Sequence, residues 1–333
     1  SPMAWVQASR KEKGVFELKS FWGEPVTLGS VKAADVETCS KDYGFSVPPE
    51  AMKAMAEIVA ERFDAMKLPR PTAWIQPGSP EAIIQADNVR QGLKEMGYIC
   101  AATYQDSAFK FFGESNPERC AFAMMWGQFR MGAPQDTVDV IKTRIADAYA
   151  RHQVLFGSSH MTDHKLPGGW PEFLKRHEEL LAWCHEKKIP VRTQSQWAKL
   201  LYYSKTDPAQ NVFPPWTADR DDNKRPDGYT KLGKNVSVNA QGELVAPEQG
   251  DVFHIPMLGG VEKGKNTLQF QVKSGSLRCT VAFVKRFKTL NTVIFTGSEK
   301  TFDVPAEADY IAITLRNTGD TPLVLSGASL KQQ

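Results

Sequence analysis

Apolar residues recur at helical spacing through the first 200 residues of the chain. The segment 48–67 places Met52, Met55 and Ile58 on one face after a Pro-Pro start, which predicts an amphipathic helix. Similar periodicity, with cap and stop signals, predicts helices over 79–97, over 136–152 with Asp136 as its N-cap, and over 168–188.

Short apolar runs stand between these helices and predict strands. They occupy 71–77, 98–104, 120–129, 153–160 and 190–194. Strand and helix therefore alternate about five times, which is typical of an α/β layer or barrel with parallel strands.

The pattern changes beyond about residue 235. Short segments rich in β-branched and aromatic residues are separated by Gly, Asn, Asp and Pro at intervals of roughly ten residues. They predict a jelly-roll-like β-sandwich of about eight strands. We therefore divide the chain into an α/β domain over 1–205, an Asp- and Pro-rich hinge over 206–229, and a sandwich over 230–333.

Composition and charge exclude some classes of protein. A hydrophobic content of 41% with 24% charged residues fits a globular domain, and the net charge of +3 is small for 333 residues. Lys and Arg are scattered among the acids without a basic run, so the sequence does not predict nucleic-acid binding. No apolar run approaches the length of a membrane-spanning helix.

Cysteine usage predicts thiols and not disulfides. The five cysteines are well separated and show no CxxC spacing, so we expect free and mostly buried side chains. They are Cys39, Cys100, Cys120, Cys184 and Cys279.

The hinge carries oxygen ligands at alternate positions. Asp219, Asp221, Asn223 and Asp227 stand at relative positions 1, 3, 5 and 9, a spacing that suits a structural Ca²⁺ site. The alternative is a solvated acidic turn, because Asp and Asn favour turns by bonding their own backbone.

The segment "VLFGSSHMTDHKLPGGW" places polar residues after a predicted strand. His160, Asp163 and His164 could form a metal site for Zn²⁺ or a similar ion. His160 could instead be a metal-free acid or base whose tautomer Asp163 sets. The third alternative is a polar loop without a catalytic role.

The order of elements resembles the NodB-type polysaccharide deacetylases. The resemblance spans roughly 15–201 and includes "WIQPGSPEA", a helix ending in "GLKEMGY", the strand that delivers His160, and the helix and "PVRTQ" that follow. It implies a distorted (β/α) barrel that removes acyl groups from a polysaccharide, with His160 as the general acid. It also implies a secreted or periplasmic protein whose signal lies outside this chain.

Several positions depart from that family's pattern. Gln76 stands where the family has an Arg that orients the base, and Phe21 and Pro25 stand where it has metal-binding histidines. The family's paired aspartates are expected upstream of Ser1. Two alternatives therefore stay open beside the hydrolase, namely an inactive glycan-binding protein and a fragment of a larger deacetylase.

Polar and aromatic side chains near predicted strand ends are candidates for sugar contacts. Aromatic rings stack on the apolar faces of sugars, although the same rings also pack in cores. The predicted substrate-binding residues of an oligosaccharide or polysaccharide partner are Trp74, Gln76, Tyr104 and Trp170.

Overall fold

A computed structural model describes most of the chain. The described residues are 6–12, 15–20, 27–32, 49–75, 87–103, 110–111, 124–125, 129–158, 166–203, 207–285 and 287–333. No helix in these ranges is long and apolar enough to cross a membrane.

The chain forms two compact units, Ser1–Val47 and Pro48–Gln333. The first unit contains an antiparallel sheet of three strands in the order β1-β2-β3. Its strands are β1 (Val6–Glu12), β2 (Val15–Ser20) and β3 (Thr27–Lys32).

The second unit begins with a region of helices and short strands. The predicted helix over 48–67 is confirmed by α1, and the one over 168–188 by α4. The described helices are α1 (Pro49–Ala65), α2 (Asp87–Glu95), α3 (Val138–Ala150), α4 (Gly169–Glu186) and α5 (Gln194–Tyr203).

The N-cap of α3 differs from the prediction. Thr137 is the cap, and its side chain accepts a hydrogen bond from the Val140 N–H. Asp136 accepts instead from the Arg130 N–H at 2.8 Å and pairs with Arg144 at 3.0 Å. Asp136 was therefore assigned the wrong role, because its carboxylate bonds the preceding strand and not the helix terminus.

Three of the four described strand pairs of this region are parallel, as the alternation of elements predicts. Within the described ranges they form small open sheets and no closed barrel, so barrel closure stays a prediction. One sheet has the order β4-β5-β7, β8 pairs in parallel with β10, and β6 pairs antiparallel with β9. The strands are β4 (Ala73–Ile75), β5 (Cys100–Thr103), β6 (Lys110–Phe111), β7 (Met124–Met125), β8 (Phe129–Arg130), β9 (Gln153–Val154) and β10 (Gly157–Ser158).

The predicted strand over 190–194 is wrong. Residues 190–193 are irregular and α5 starts at Gln194. The Thr193 hydroxyl accepts from the Gln196 N–H, and the Gln196 side chain accepts from the Thr193 N–H. This reciprocal capping box stabilises a helix start and overrides the β propensity of the preceding valine.

The second unit ends in a sandwich of two five-stranded antiparallel sheets. The front sheet has the order β11-β14-β19-β16-β17, and the back sheet β12-β13-β20-β15-β18. The sandwich prediction is confirmed, with ten described strands instead of eight. They are β11 (Lys231–Leu232), β12 (Ser237–Val238), β13 (Leu244–Ala246), β14 (Gly250–Leu258), β15 (Gly264–Ser274), β16 (Leu277–Lys285), β17 (Lys288–Thr296), β18 (Glu299–Val304), β19 (Tyr310–Asn317) and β20 (Leu323–Gln332).

The core of the sandwich lies between the two sheets. Phe253 of the front sheet and Phe270 of the back sheet are fully buried, and the ring of Phe213 meets both edge-to-face at 6.0 and 5.9 Å. Burial of each such side chain stabilises the fold by roughly 1.5–3 kcal/mol. The buried Tyr229 donates its hydroxyl to the Pro214 carbonyl at 2.6 Å, which ties the hinge to this core.

Three of the predicted free thiols lie in buried positions. Cys100, Cys184 and Cys279 are free and buried, whereas Cys39 and Cys120 lie outside the described residues. Burial raises the pKa of Cys279 to about 12, which keeps the thiol protonated and unreactive. The prediction of buried thiols is confirmed for these three.

Candidate functional site

The predicted catalytic cluster lies outside the described residues. This applies to His160, Asp163 and His164, and also to Gln76 and Tyr104. Their roles in acid catalysis, zinc binding and sugar contact stay predictions.

The two predicted tryptophan contacts are described, and both rings pack against aromatic neighbours. Trp74 is half-buried and meets Tyr98 edge-to-face with ring centroids 5.5 Å apart. Trp170 is 38% exposed and stacks on Phe173 at 5.1 Å. Their contact with a substrate also stays a prediction.

The hinge brings three carboxylates together. One oxygen from each of Asp219, Asp221 and Asp227 lies within 4.8 Å of the others, so the cluster could hold a metal ion. The Asp219 carboxylate accepts from the backbone N–H groups of Asn223 and Lys224 at 3.0 and 2.8 Å. These bonds are between residues four and five positions apart, so they fold the loop locally. The short spacing of the three aspartates in the sequence therefore brings their carboxylates together.

Asp227 already has a cationic partner. Its carboxylate accepts from the Arg220 backbone N–H at 3.0 Å and from the Arg220 guanidinium at 2.5 Å. Burial raises the pKa of Asp227, and the bonds from Arg220 oppose that rise. Arg220 thus neutralises one carboxylate of the cluster, which leaves Asp219 and Asp221 as its remaining negative charges.

Asp221 links the hinge to α3. Its Oδ2 accepts from the Thr143 hydroxyl of α3, and from the Asn223 side-chain amide at 2.7 Å. Its Oδ1 is buried and has no hydrogen-bond partner among the described residues. A buried, unpaired carboxylate oxygen is unfavourable, and a bound cation would satisfy it.

A second candidate site lies on the outward face of the front sheet. Strand pairing sets His254, Thr314, Thr280 and Ile294 side by side in one row across four strands. The next row places Ala282 between Ala312 and Thr292. Their inward neighbours Ile313 and Val281 are fully buried in the core, which fixes the outward direction of this set.

The outward side chains of this face differ in size from strand to strand. The central strands β16 and β19 present Thr280, Ala282, Ala312 and Thr314, whereas the flanking strands present the larger His254 and Ile294. Small side chains therefore lie between larger ones across this face. We call these six residues the front trough.

The two sides of the front trough differ in chemistry. Ile294 is 53% exposed and gives the β17 side an apolar contact surface. On the β14 side, the ring Nδ1 of His254 lies 3.0 Å from the Thr314 hydroxyl. Burial, with a smaller effect of nearby Lys231, lowers the pKa of His254, so its imidazole is neutral at pH 7 and can both donate and accept.

One end of the front trough is closed and the other is open. Val284 and Tyr310 also point outward, yet they are buried and pack with Met257. The ring of Phe287, which is 58% exposed, lies 6.5 Å from that of Tyr310. The opposite end carries exposed charged side chains.

That open end is positively charged. Arg316 lies directly across from Arg278 on one side and from Asp251 on the other. The Arg316 guanidinium pairs with Asp251 at 3.0 Å, and both side chains are about half exposed. Arg278 is exposed and has no ion-pair partner among the described residues.

The outward face of the back sheet has a different character. Lys265 lies opposite Asp303, and Lys273 pairs with Glu243. Gln269, at the centre of this face, lies between Glu299 and Ser329. Two lysines of this face thus have acidic partners, which is typical of a solvated surface.

Comparisons with known proteins give only distant similarities. No family model and no curated protein matches the chain. Accessory secretory protein 1, 2 and 3 of Streptococcus pneumoniae is 14% identical over 32% of this chain and 90% of that one, with a TM-score of 0.27.

Two further similar structures contain carbohydrate. The Clostridium thermocellum xylanase 10B CBM22-1–GH10 modules, complexed with xylohexaose, are 10% identical over 32% of this chain and 26% of that one, with a TM-score of 0.24. The lectin domain of lectinolysin, complexed with Lewis b antigen, is 11% identical over 28% of this chain and 72% of that one, with a TM-score of 0.21. Likenesses this low carry no conclusion about the function of this chain.

Sequence reasoning missed the front trough. Its residues alternate with core residues in the strands, so their outward direction could be predicted from the period of two. Their proximity could not, because His254, Thr280, Ile294 and Thr314 come from four strands whose pairing the sequence does not state. The acidic cluster was predictable because its ligands lie within nine residues.

Proposed function

We propose that the front trough binds a glycan and that the sandwich is a carbohydrate-binding module. The observation that carries the proposal is the row His254–Thr314–Thr280–Ile294, which sets an exposed apolar side chain opposite hydrogen-bonding groups. A sugar ring has the same division, with C–H groups on its faces and hydroxyl groups around its edge.

Each side of the front trough fits one part of such a ligand. The exposed Ile294 can pack against the C–H face of a sugar ring, which buries apolar surface. The neutral His254 and the hydroxyls of Thr280 and Thr314 can exchange hydrogen bonds with sugar hydroxyls. The small side chains of Ala282 and Ala312 leave room for the ring between this row and the closed end.

A blocking substitution tests the proposal. Thr280→Trp places a bulky ring in the middle of the front trough, and the matched control Gln269→Trp places the same ring in the middle of the back sheet's outward face. Binding is measured on a glycan array and then by calorimetry. We expect glycan binding by the wild-type protein and by Gln269→Trp, and a loss of at least about tenfold in affinity for Thr280→Trp, since the ring occludes the site.

Two outcomes contradict the proposal. One is the absence of binding to every glycan of the array by the folded wild-type protein. The other is equal binding by Thr280→Trp and by the wild type, which would place the site elsewhere. Circular dichroism and urea denaturation of both variants exclude unfolding as the cause of a loss.

The hinge supports a second proposal, that the acidic cluster binds Ca²⁺ as a structural ion. The buried and unpaired Oδ1 of Asp221 favours it, because Ca²⁺ takes carboxylate oxygens in flexible arrangements. Asp219 would be the second carboxylate ligand, while Arg220 continues to neutralise Asp227. Addition of Ca²⁺ to protein treated with chelator should raise the unfolding temperature.

The prediction of a polysaccharide deacetylase rests on residues outside the front trough and the hinge. His160 and Asp163, which would carry acyl removal, lie outside the described residues. Deacetylation therefore stays a prediction from the sequence resemblance, and the described geometry favours the glycan-binding alternative.

A further inference from the structure

Like charges face one another at the open end of the front trough. Arg278 of β16 and Arg316 of β19 are directly opposite residues of neighbouring strands. Opposed like charges destabilise a sheet, so this arrangement is costly unless an anion lies nearby.

The described residues supply little compensating negative charge on this face. Asp251 pairs with the Nε of Arg316 at 3.0 Å, and no other carboxylate of the described strands lies directly across from Arg316. Across from Arg278 on its other side lies Thr296, which is neutral. Two exposed guanidinium groups on adjacent strands therefore share one carboxylate.

The described strand pairs of the back sheet do not oppose like charges in this way. There the cross-strand partner of Lys265 is Asp303, and Lys273 pairs with Glu243. Both faces belong to the same sandwich and both are exposed, yet only the front face sets arginine opposite arginine. The opposed arginines thus lie at the open end of the front trough.

We propose that the front trough selects an acidic oligosaccharide, with Arg278 and Arg316 binding the carboxylate of a uronic acid unit. This inference rests on the proposed glycan-binding function and names its substrate class. Guanidinium groups form paired, charge-assisted hydrogen bonds with carboxylates, which combine strength with directional specificity.

The spacing of the residues fits one sugar unit and its carboxylate. Arg278 lies two residues before Thr280 on the same face of β16, which separates them by about 6.8 Å along the strand. A ring that packs on Ile294 and Thr280 can therefore extend its carboxylate toward Arg278. The row of Arg278 and Arg316 directly adjoins the row of Thr280 and Thr314 on the outward face.

The test uses paired ligands that differ only in the carboxylate. One ligand set comprises oligosaccharides of galacturonate, glucuronate and mannuronate, and the other comprises the same chains with the carboxyl groups reduced to hydroxymethyl. Affinities are measured by calorimetry for the wild type, for Arg278→Gln, and for the control Lys331→Gln. Lys331 is an exposed lysine of the back sheet that lies opposite the neutral Thr267.

We expect at least one uronate chain to bind. Its affinity should fall about tenfold or more in Arg278→Gln and on carboxyl reduction, because a charge-assisted hydrogen bond is lost in each case. Affinity should also fall with rising salt concentration, since exposed charges are screened. Lys331→Gln should bind like the wild type.

Three outcomes overturn the inference, and they separate it from the proposed function. If neutral and reduced chains bind as well as uronates, and Thr280→Trp abolishes this binding while Arg278→Gln does not, glycan binding stands and acid selectivity is wrong. If polyphosphate and heparin bind as tightly as the best uronate, the site is a general anion surface and the carboxylate assignment is wrong. If no glycan binds at all, the proposed function fails and this inference fails with it.

Discussion

The Asp147 carboxylate of α3 pairs with the Arg225 guanidinium of the hinge at 2.9 Å. The same carboxylate accepts from the Gly228 N–H at 2.8 Å. Both side chains of the ion pair are largely buried, so the pair is worth more than an exposed one. One carboxylate thus holds the end of the hinge against α3.

We predict that Asp147→Asn lowers the free energy of unfolding by about 1–3 kcal/mol, because it removes the charge that satisfies Arg225. The control is Asp222→Asn in the same hinge, whose side chain is 83% exposed and lies 3.9 Å from Lys187. That variant should remain within about 0.5 kcal/mol of the wild type. Equal losses in the two variants, measured by urea denaturation, would show that the Asp147 contacts contribute nothing specific.

Calcium should stabilise the protein through Asp221. A ligand that binds only the folded state at one hundred times its dissociation constant adds about 2.7 kcal/mol to the stability. We expect Ca²⁺ to raise the unfolding temperature of chelator-treated wild type, and to leave Asp221→Asn unchanged because the negative charge that would bind the ion is lost. A wild-type unfolding temperature that does not respond to millimolar Ca²⁺ would refute the calcium proposal.

The ionisation of His254 should respond to its two charged neighbours in opposite directions. Its pKa is lowered from 6.5, mainly by burial, with Lys231 lowering it and Asp251 raising it. Lys231→Gln should therefore raise the pKa of His254, and Asp251→Asn should lower it further, as measured by NMR titration of the imidazole. Shifts of the same sign in both variants would be inconsistent with the described outward row.

The sign of the stability effect follows from the lowered pKa. Since the folded state disfavours the charged imidazole, the contribution of His254 is present above the unfolded pKa of about 6.5 and is lost as pH falls through the folded value. Stability should thus decrease on acidification below about pH 6.5. This decrease should be smaller in Lys231→Gln, whose His254 is easier to protonate.

Local features of the fold were largely predictable from sequence. The helix over 168–188 and the alternating segments after residue 235 have strong periodicity, and both are confirmed. Thr193 and Gln196 form a capping box that the sequence also contains, but Val191 before it favoured a strand. The cap of α3 was misplaced by one residue because Asp136 and Thr137 are both good N-cap residues.

Features that depend on pairing between distant segments were not predictable. The Asp219–Asp227 cluster was found because its ligands are close in sequence, whereas its bond to Thr143 of α3 spans 78 positions. The front trough depends on the order and register in which four strands pair, namely β14, β19, β16 and β17. A single sequence gives the face of each residue but not its neighbour on the next strand.

The isoleucine methyl NMR spectrum of the protein during glycan titration tests the central claim most directly. Ile294 is an exposed isoleucine of the front trough, whereas Ile255, Ile311 and Ile313 are buried in the same sandwich and Ile58 is exposed on α1. We predict that a bound glycan shifts the Ile294 methyl signal most strongly and leaves that of Ile58 unchanged. An unchanged Ile294 signal at saturating glycan, with shifts at Ile58 or elsewhere in the helical region, would contradict glycan binding in the front trough.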